Sequence, residues 1–267
     1  MKLGIVGCGT IGAEVARAVF TGTLSGYELC GFHDLNEQQA TSLSRSLDGR
    51  VPLLTLEQLI EISDLVFEAT AKVAMPNIVE RAIHHRKSVV TMSVGGFVDR
   101  PDLIERAETQ GVNLFLPSGA LGGIDALLAG KEAGLDRVTL TTTKNPRSLQ
   151  GAPYLINKGI TLDGVDKPMV IFTGTAREAI EGFPANANVA ITLSIAGIGM
   201  DRTSVVIIAD PEIKRTKQDV FAEGPFGIIH TVTEGIVAPG NPRTGYLAIL
   251  SAIAVLRRLA CSIRIGT

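Results

Sequence analysis

Residues 2–20 read "KLGIVGCGTIGAEVARAVF". A short β-branched run, Lys2 to Val6, leads without a linker into Gly7, Gly9 and Gly12, and then into apolar positions spaced as on one face of a helix. Few folds accept that order. A strand that ends in a glycine turn and restarts as a helix is the opening unit of a parallel α/β sheet. Gly7 permits the sharp turn, Gly9 lets an outside group approach the backbone, and Gly12 lets the helix lie close on the sheet. A helix start also presents N–H groups and a partial positive charge. Gly7, Gly9, Thr10, Ile11 and Gly12 are therefore candidate contacts to a diphosphate. Glu14 and Arg17 interrupt the apolar run too early for a secretion signal.

The following hundred residues repeat the rhythm. Strands are expected at "KLGIV", "YELCGFHD", "VPLL", "DLVFEAT", "KSVVTM" and "VNLFLP", with helices near Thr10 to Phe20, Asn36 to Leu47, Thr55 to Ile62, Ala74 to His85 and Arg100 to Gln110. Six strands alternating with five helices make a doubly wound parallel sheet covered on both faces. From Ser118 the texture changes. A helix near Gly123 to Glu132 precedes "RVTLTTTK", which alternates as a half-exposed strand does, and a looser stretch runs from Asn145 to Lys167. Then come "MVIFTG", "TSVVIIAD", a hairpin around "AEGPFG", and helices near Ala176 to Glu181 and Asn188 to Ala196. A final helix, Pro242 to about Cys261, can return to the first domain. The expected organisation is a domain over 1–118, completed by 241–267, and an α+β domain over 119–240.

Composition narrows the ligand. The net charge is −2, tryptophan is absent and aromatics make up 4%, so neither a basic surface for nucleic acid nor a stacking platform is expected. The apolar run Tyr246 to Leu256 is too short to cross about 30 Å of hydrocarbon, which argues against a membrane protein. Cys8, Cys30 and Cys261 have no metal-ligand spacing, and three thiols fit a reducing, cytoplasmic setting. A small molecule is the expected partner. Asp34 ends the second strand about twenty residues beyond the last glycine, where a carboxylate accepts from ribose hydroxyls and repels a 2′-phosphate. The expected cofactor is NAD, with NADP possible. Ligands in such sheets sit beyond the carboxyl ends of the strands, which adds Ala69 and Thr70, next to Glu68, and Ser93 at the head of "SVGG".

Further stretches carry a resemblance: "PSGALGGIDAL" at 117–127, "FPANANVAITLSIAG" at 183–197, "ADP" at 209–211 and "NPRTGYLAILS" at 241–251. With the amino-terminal glycines they resemble the L-aspartate dehydrogenase family over almost the whole chain. The resemblance implies a Rossmann domain, a second domain that binds a dicarboxylic amino acid, and a homo-oligomer. The implied reaction oxidises L-aspartate to iminosuccinate, which hydrolyses to oxaloacetate and ammonia. It also implies Ala120 and Asn188 as cofactor contacts; Asn188 suits a helix N-cap as well.

One position departs from the pattern. The family carries Asn-x-His after the "ADP" strand, whereas this chain has Thr216 and Gln218 there. Histidine titrates near neutrality and glutamine does not. Gln218 can hold a carboxylate or a water, and Lys144, in "TTTKNP", is a cationic partner for a dicarboxylate or a relocated base. His33, His84, His85, Lys217 and His230 are the other titrating groups to weigh. Three readings stay open: an aspartate dehydrogenase slowed by the change or using another base, a dinucleotide-binding sensor without catalysis, and a reductase of another imine or oxo acid.

Overall fold

The computed structural model describes residues 1–184, 188–263, 265 and 266, leaving aside the side chains of 242 and 243. The chain divides into two compact units, Met1–Pro117 with Ala248–Arg264, and Ser118–Leu247 with Ile265–Thr267.

In the first unit, β1 (Lys2–Val6), α1 (Thr10–Phe20), β2 (Glu28–His33), α2 (Glu37–Ser46), α3 (Leu56–Ile62), β3 (Leu65–Glu68), α4 (Met75–His84), β4 (Ser88–Thr91), α5 (Asp102–Thr109) and β5 (Leu114–Phe115) follow in order. The strands form one parallel sheet, ordered β2-β1-β3-β4-β5. β1 after Lys2 and all of β3 are buried without alternation, the pattern of strands covered on both faces. The chain reverses its direction of spread between β1 and β3, which makes that pair the switch point. The expected strand at "VPLL" is absent. Pro52 has no N–H to give a ladder, and only the bridge Phe32↔Leu53 forms, so the sheet has five strands where six were expected.

The second unit contains α6 (Ile124–Lys131), β6 (Arg137–Lys144), α7 (Pro153–Lys158), β7 (Met169–Thr175), α8 (Ala176–Gly182), α9 (Asn188–Ala196), β8 (Ser204–Ala209), β9 (Thr216–Gly224), β10 (Gly227–Gly235), β11 (Val237–Ala238) and β12 (Asn241–Gly245), before α10 (Tyr246–Ala260) begins. Its five-stranded sheet runs β10-β9-β6-β8-β7, with β6 and β8 parallel and the other pairs antiparallel. Two expectations are corrected. The loose stretch after Asn145 holds α7, started by Pro153 at its first position. The last helix begins at Tyr246 and not at Pro242, because Gly240 turns the chain at φ +77° and Asn241–Gly245 pair back onto β11. From Ala248 onward α10 belongs to the first unit, where Ala252 and Leu256 are fully buried in the core around Leu3, Ile5, Phe32 and Phe67.

Candidate functional site

In the first unit the three glycines separate by what a side chain at each would strike. At Gly7, φ is +95° and a Cβ would lie 2.4 Å from the Ala69 carbonyl oxygen; at Gly12 it would lie 1.9 Å from the Gly7 carbonyl oxygen. The fold itself requires both. At Gly9 the nearest atom would be Gln39 Oε1, at 3.9 Å. Nothing in the described chain fills that space, which leaves room for a group arriving from outside. Gly9 is also the N-cap of α1, with no side chain capping it and no acid in the first turn, whereas Asn36, Thr55 and Thr175 cap α2, α3 and α8. Thr10 and Ile11 open that turn, half-buried.

Asp34 lies directly after β2. Its Oδ2 accepts from Cys8 N at 2.7 Å and its Oδ1 from Asn36 N at 2.8 Å, so the carboxylate is anchored to the glycine turn. Each oxygen keeps a further lone pair for a hydroxyl. Burial, and then the Asp34 charge, push the Cys8 thiol up to about 12, which leaves it inert as a nucleophile. Two apolar side chains that sequence reasoning missed stand out beyond the strand ends: Leu35 is 88% and Val73 84% exposed. Position after Asp34 was the only signal for Leu35.

Ala69 and Thr70 leave β3 beside the glycine turn, Ala69 N donating to Val6 O at 2.8 Å. Ser93 follows β4, and its Oγ donates to Thr70 O at 2.8 Å. Gly7, Gly9, Thr10, Ile11, Gly12, Asp34, Ala69, Thr70 and Ser93 therefore all lie at the carboxyl end of one parallel sheet. An extended ligand with two phosphates and a ribose matches that row of amides and its terminal carboxylate.

The other four candidates, Lys144, Gln218, Ala120 and Asn188, belong to the second unit. Register groups the first two. Thr142 pairs with Gln218, and Gln218 with Thr233, so these three side chains share a face. Lys144 and Thr216, two residues along their strands, share it too. Gln218 is 4% exposed, and its Oε1 accepts from Thr142 Oγ1 at 2.6 Å. Burial pushes the Lys144 ammonium down to about 8, so neutral amine and ammonium coexist near neutral pH. The Ser118–Gly123 turn rests on the same face. Thr233 Oγ1 donates to Ala120 O, and Thr231 Oγ1 to Gly122 O at 2.9 Å. Asn188 is the exposed first residue of α9; the cap position falls on 187, outside the described residues.

Lys217 and His230 point the other way. Lys217 alternates with Gln218, and His230 pairs with Phe221; Asp219 holds both, with His230 Nε2 at 2.9 Å and Lys217 Nζ at 3.7 Å. The remaining histidines lie in the first unit. His33 Nδ1 meets Leu54 O at 3.0 Å, His85 Nε2 meets Glu57 at 2.6 Å, and His84 packs edge-on against His85. Lys144 is thus the titrating side chain that register puts beside Gln218. Among the described residues no group of acids, histidines and cysteines could hold a metal ion, and no helix is long and apolar enough to cross a membrane.

Comparison with known proteins gives the following. Residues 125–259 match the family described as aspartate dehydrogenase, C-terminal, and residues 7–117 the family described as homoserine dehydrogenase, NAD binding domain. The L-aspartate dehydrogenase of Methanocella arvoryzae is 43% identical, with 100% of this chain and 99% of the relative covered; that of Methanosarcina mazei is 42% identical, covering all of both. The crystal structure of aspartate dehydrogenase from Thermotoga maritima superposes with a TM-score of 0.77 at 25% identity, over 100% of this chain and 99% of that one.

Proposed function

The chain belongs to the aspartate dehydrogenase family, and from that premise we propose that it is an NAD(P)-dependent oxidoreductase moving a hydride between the α-carbon of L-aspartate and nicotinamide. The observation that carries the cofactor is the space at Gly9, which no part of the described chain fills. The amides of Gly7, Gly9, Thr10, Ile11 and Gly12 would hold the diphosphate, Asp34 the adenosine ribose, and Leu35 and Val73 offer apolar cover to a base. Ala69, Thr70 and Ser93 take the rest of the dinucleotide. Ala120 and Asn188 rest on the family resemblance alone. NAD is preferred because Asp34 opposes a 2′-phosphate. The bound cofactor supplies the ring carbon that accepts the hydride.

Everything else falls to the side chains of the second unit. Oxidation needs the substrate amine neutral, so one proton must leave it before the α-hydrogen departs with its electron pair. Lys144 suits that step because burial brings its titration down to about 8; as ammonium it also attracts a carboxylate. Gln218, its oxygen occupied by Thr142, is left to donate from its amide nitrogen to a carboxylate or to the water that hydrolyses the imine. The balance is one amine and one oxidised nicotinamide giving one imine, one reduced nicotinamide and one proton.

The protein forms a homo-oligomer through the open face of the second sheet. Val170, Ile228 and Val232 are 57%, 68% and 47% exposed, and Asp219 and Lys217 on that side supply both charge signs, which lets the face complement its own copy. Light scattering tests the assembly. The three free cysteines fit the cytoplasm.

The deciding assay mixes the protein with NAD and L-aspartate at alkaline pH and follows reduced nicotinamide. Turnover supports the proposal. Binding without turnover favours a sensor, and reduction of another imine or oxo acid moves the substrate.

A further inference from the structure

Glu68 ends β3 with its side chain fully buried. Its Oε1 accepts from Thr70 N and Thr70 Oγ1, both at 2.6 Å. Its Oε2 accepts from Thr91 Oγ1 and from Ser93 N, the latter at 3.2 Å. No cation pairs with it among the described residues. Four donors meet the four acceptor sites a carboxylate has, and a fully satisfied buried network is rigid.

Stability alone does not call for this arrangement. The other β3 residues, Leu65, Val66 and Phe67, are apolar and buried, and a buried carboxylate without a counter-charge costs desolvation that an apolar side chain avoids. What Glu68 does is fix two peptides, Thr70 and Ser93, in the turns that leave β3 and β4. Ser93 Oγ closes the loop by donating to Thr70 O, and Ala69, between Glu68 and Thr70, backs onto Gly7. One carboxylate therefore sets the orientation of two turns, one at the switch point and one on the strand beside it.

The sheet order says which part of a ligand those turns meet. Asp34 follows β2 and the glycine turn follows β1, so a dinucleotide with its adenosine ribose on Asp34 and its diphosphate on the glycines continues over β3 and β4. We infer that Glu68 is a positioning residue for the nicotinamide half of the cofactor, acting through the turns at Thr70 and Ser93 without touching the ligand. The inference rests on the cofactor reading proposed above.

The test is Glu68→Gln, titrated with NAD and with ADP, which carries the adenosine and diphosphate but no nicotinamide half. Whichever way the amide turns, its NH2 faces a backbone N–H, of Thr70 or Ser93, and cannot accept from it. The expected result is NAD binding weaker by about tenfold, the effect of one lost hydrogen bond to a charged group, with ADP binding unchanged. The KM for NAD should rise while that for L-aspartate stays constant. Thr91→Val removes one donor at nearly constant volume and should weaken NAD by about threefold, again sparing ADP; it decides the matter where Glu68→Gln does not fold. Unchanged NAD affinity, or equal losses for NAD and ADP, overturns the inference. Wild-type protein that binds neither ligand overturns the cofactor reading instead.

Discussion

The two units build their candidate sites from different material. In the first, the candidates are main-chain amides at strand ends, and what marks them is absent side chains, at Gly7, Gly9 and Gly12. In the second, the candidates are side chains on one face of a sheet, Thr142, Lys144 and Gln218, brought together by the register of β6 against β9. A backbone site depends on shape and tolerates few changes of volume. A side-chain site depends on chemistry and can be rewritten one residue at a time.

Substitutions test that contrast directly. The largest effect is expected at Lys144→Met. If the lysine moves the proton, kcat for aspartate oxidation falls by about 10² to 10⁴. In the unaltered protein the rate should then rise with pH through about 8 as the ammonium gives way to the amine, and the variant should lose that limb. A pH profile that keeps it assigns the titration elsewhere. Gln218→His comes next: restoring an imidazole should raise turnover at least about tenfold, and no gain would show that the position is not chemical in this chain.

The glycines supply the complementary test. Gly9→Ala should weaken NAD about fivefold with little change in Tm, since its Cβ meets no protein atom closer than 3.9 Å. Gly12→Ala should lose stability outright, because its Cβ would overlap the Gly7 carbonyl. Equal behaviour of the two would erase the distinction between a glycine the fold needs and one the ligand needs. The smallest change, a drift in coenzyme preference toward NADP, is expected for Asp34→Arg. Its reach is limited because the same substitution removes the acceptor for Cys8 N and Asn36 N.

Legibility in the sequence followed the same divide. Gly7, Gly9, Gly12 and Asp34 marked the first candidate site because a tight turn admits few residue types, and the end of the strand "DLVFE" put Glu68 at the crevice, though its hold on two turns was not legible. β9 was harder to see. Its inward-facing positions at 216 and 218 carry threonine and glutamine, so the alternation that identifies a strand fails where the polar groups are placed. Conversely "VPLL" has the composition of a strand, and Pro52 denies it a ladder. Leu35 and Val73 gave no periodic signal, being single apolar residues at turns.

α10 lies at the far end of the chain from the core it completes. Ribosomes add about 5–20 residues per second, so residues 1–117 wait on the order of ten seconds while the intervening segment is made, with the seat of Ala252 and Leu256 uncovered. Residues 1–117 can therefore complete their own core only after the whole segment 118–247 has been made, although they precede it in the chain.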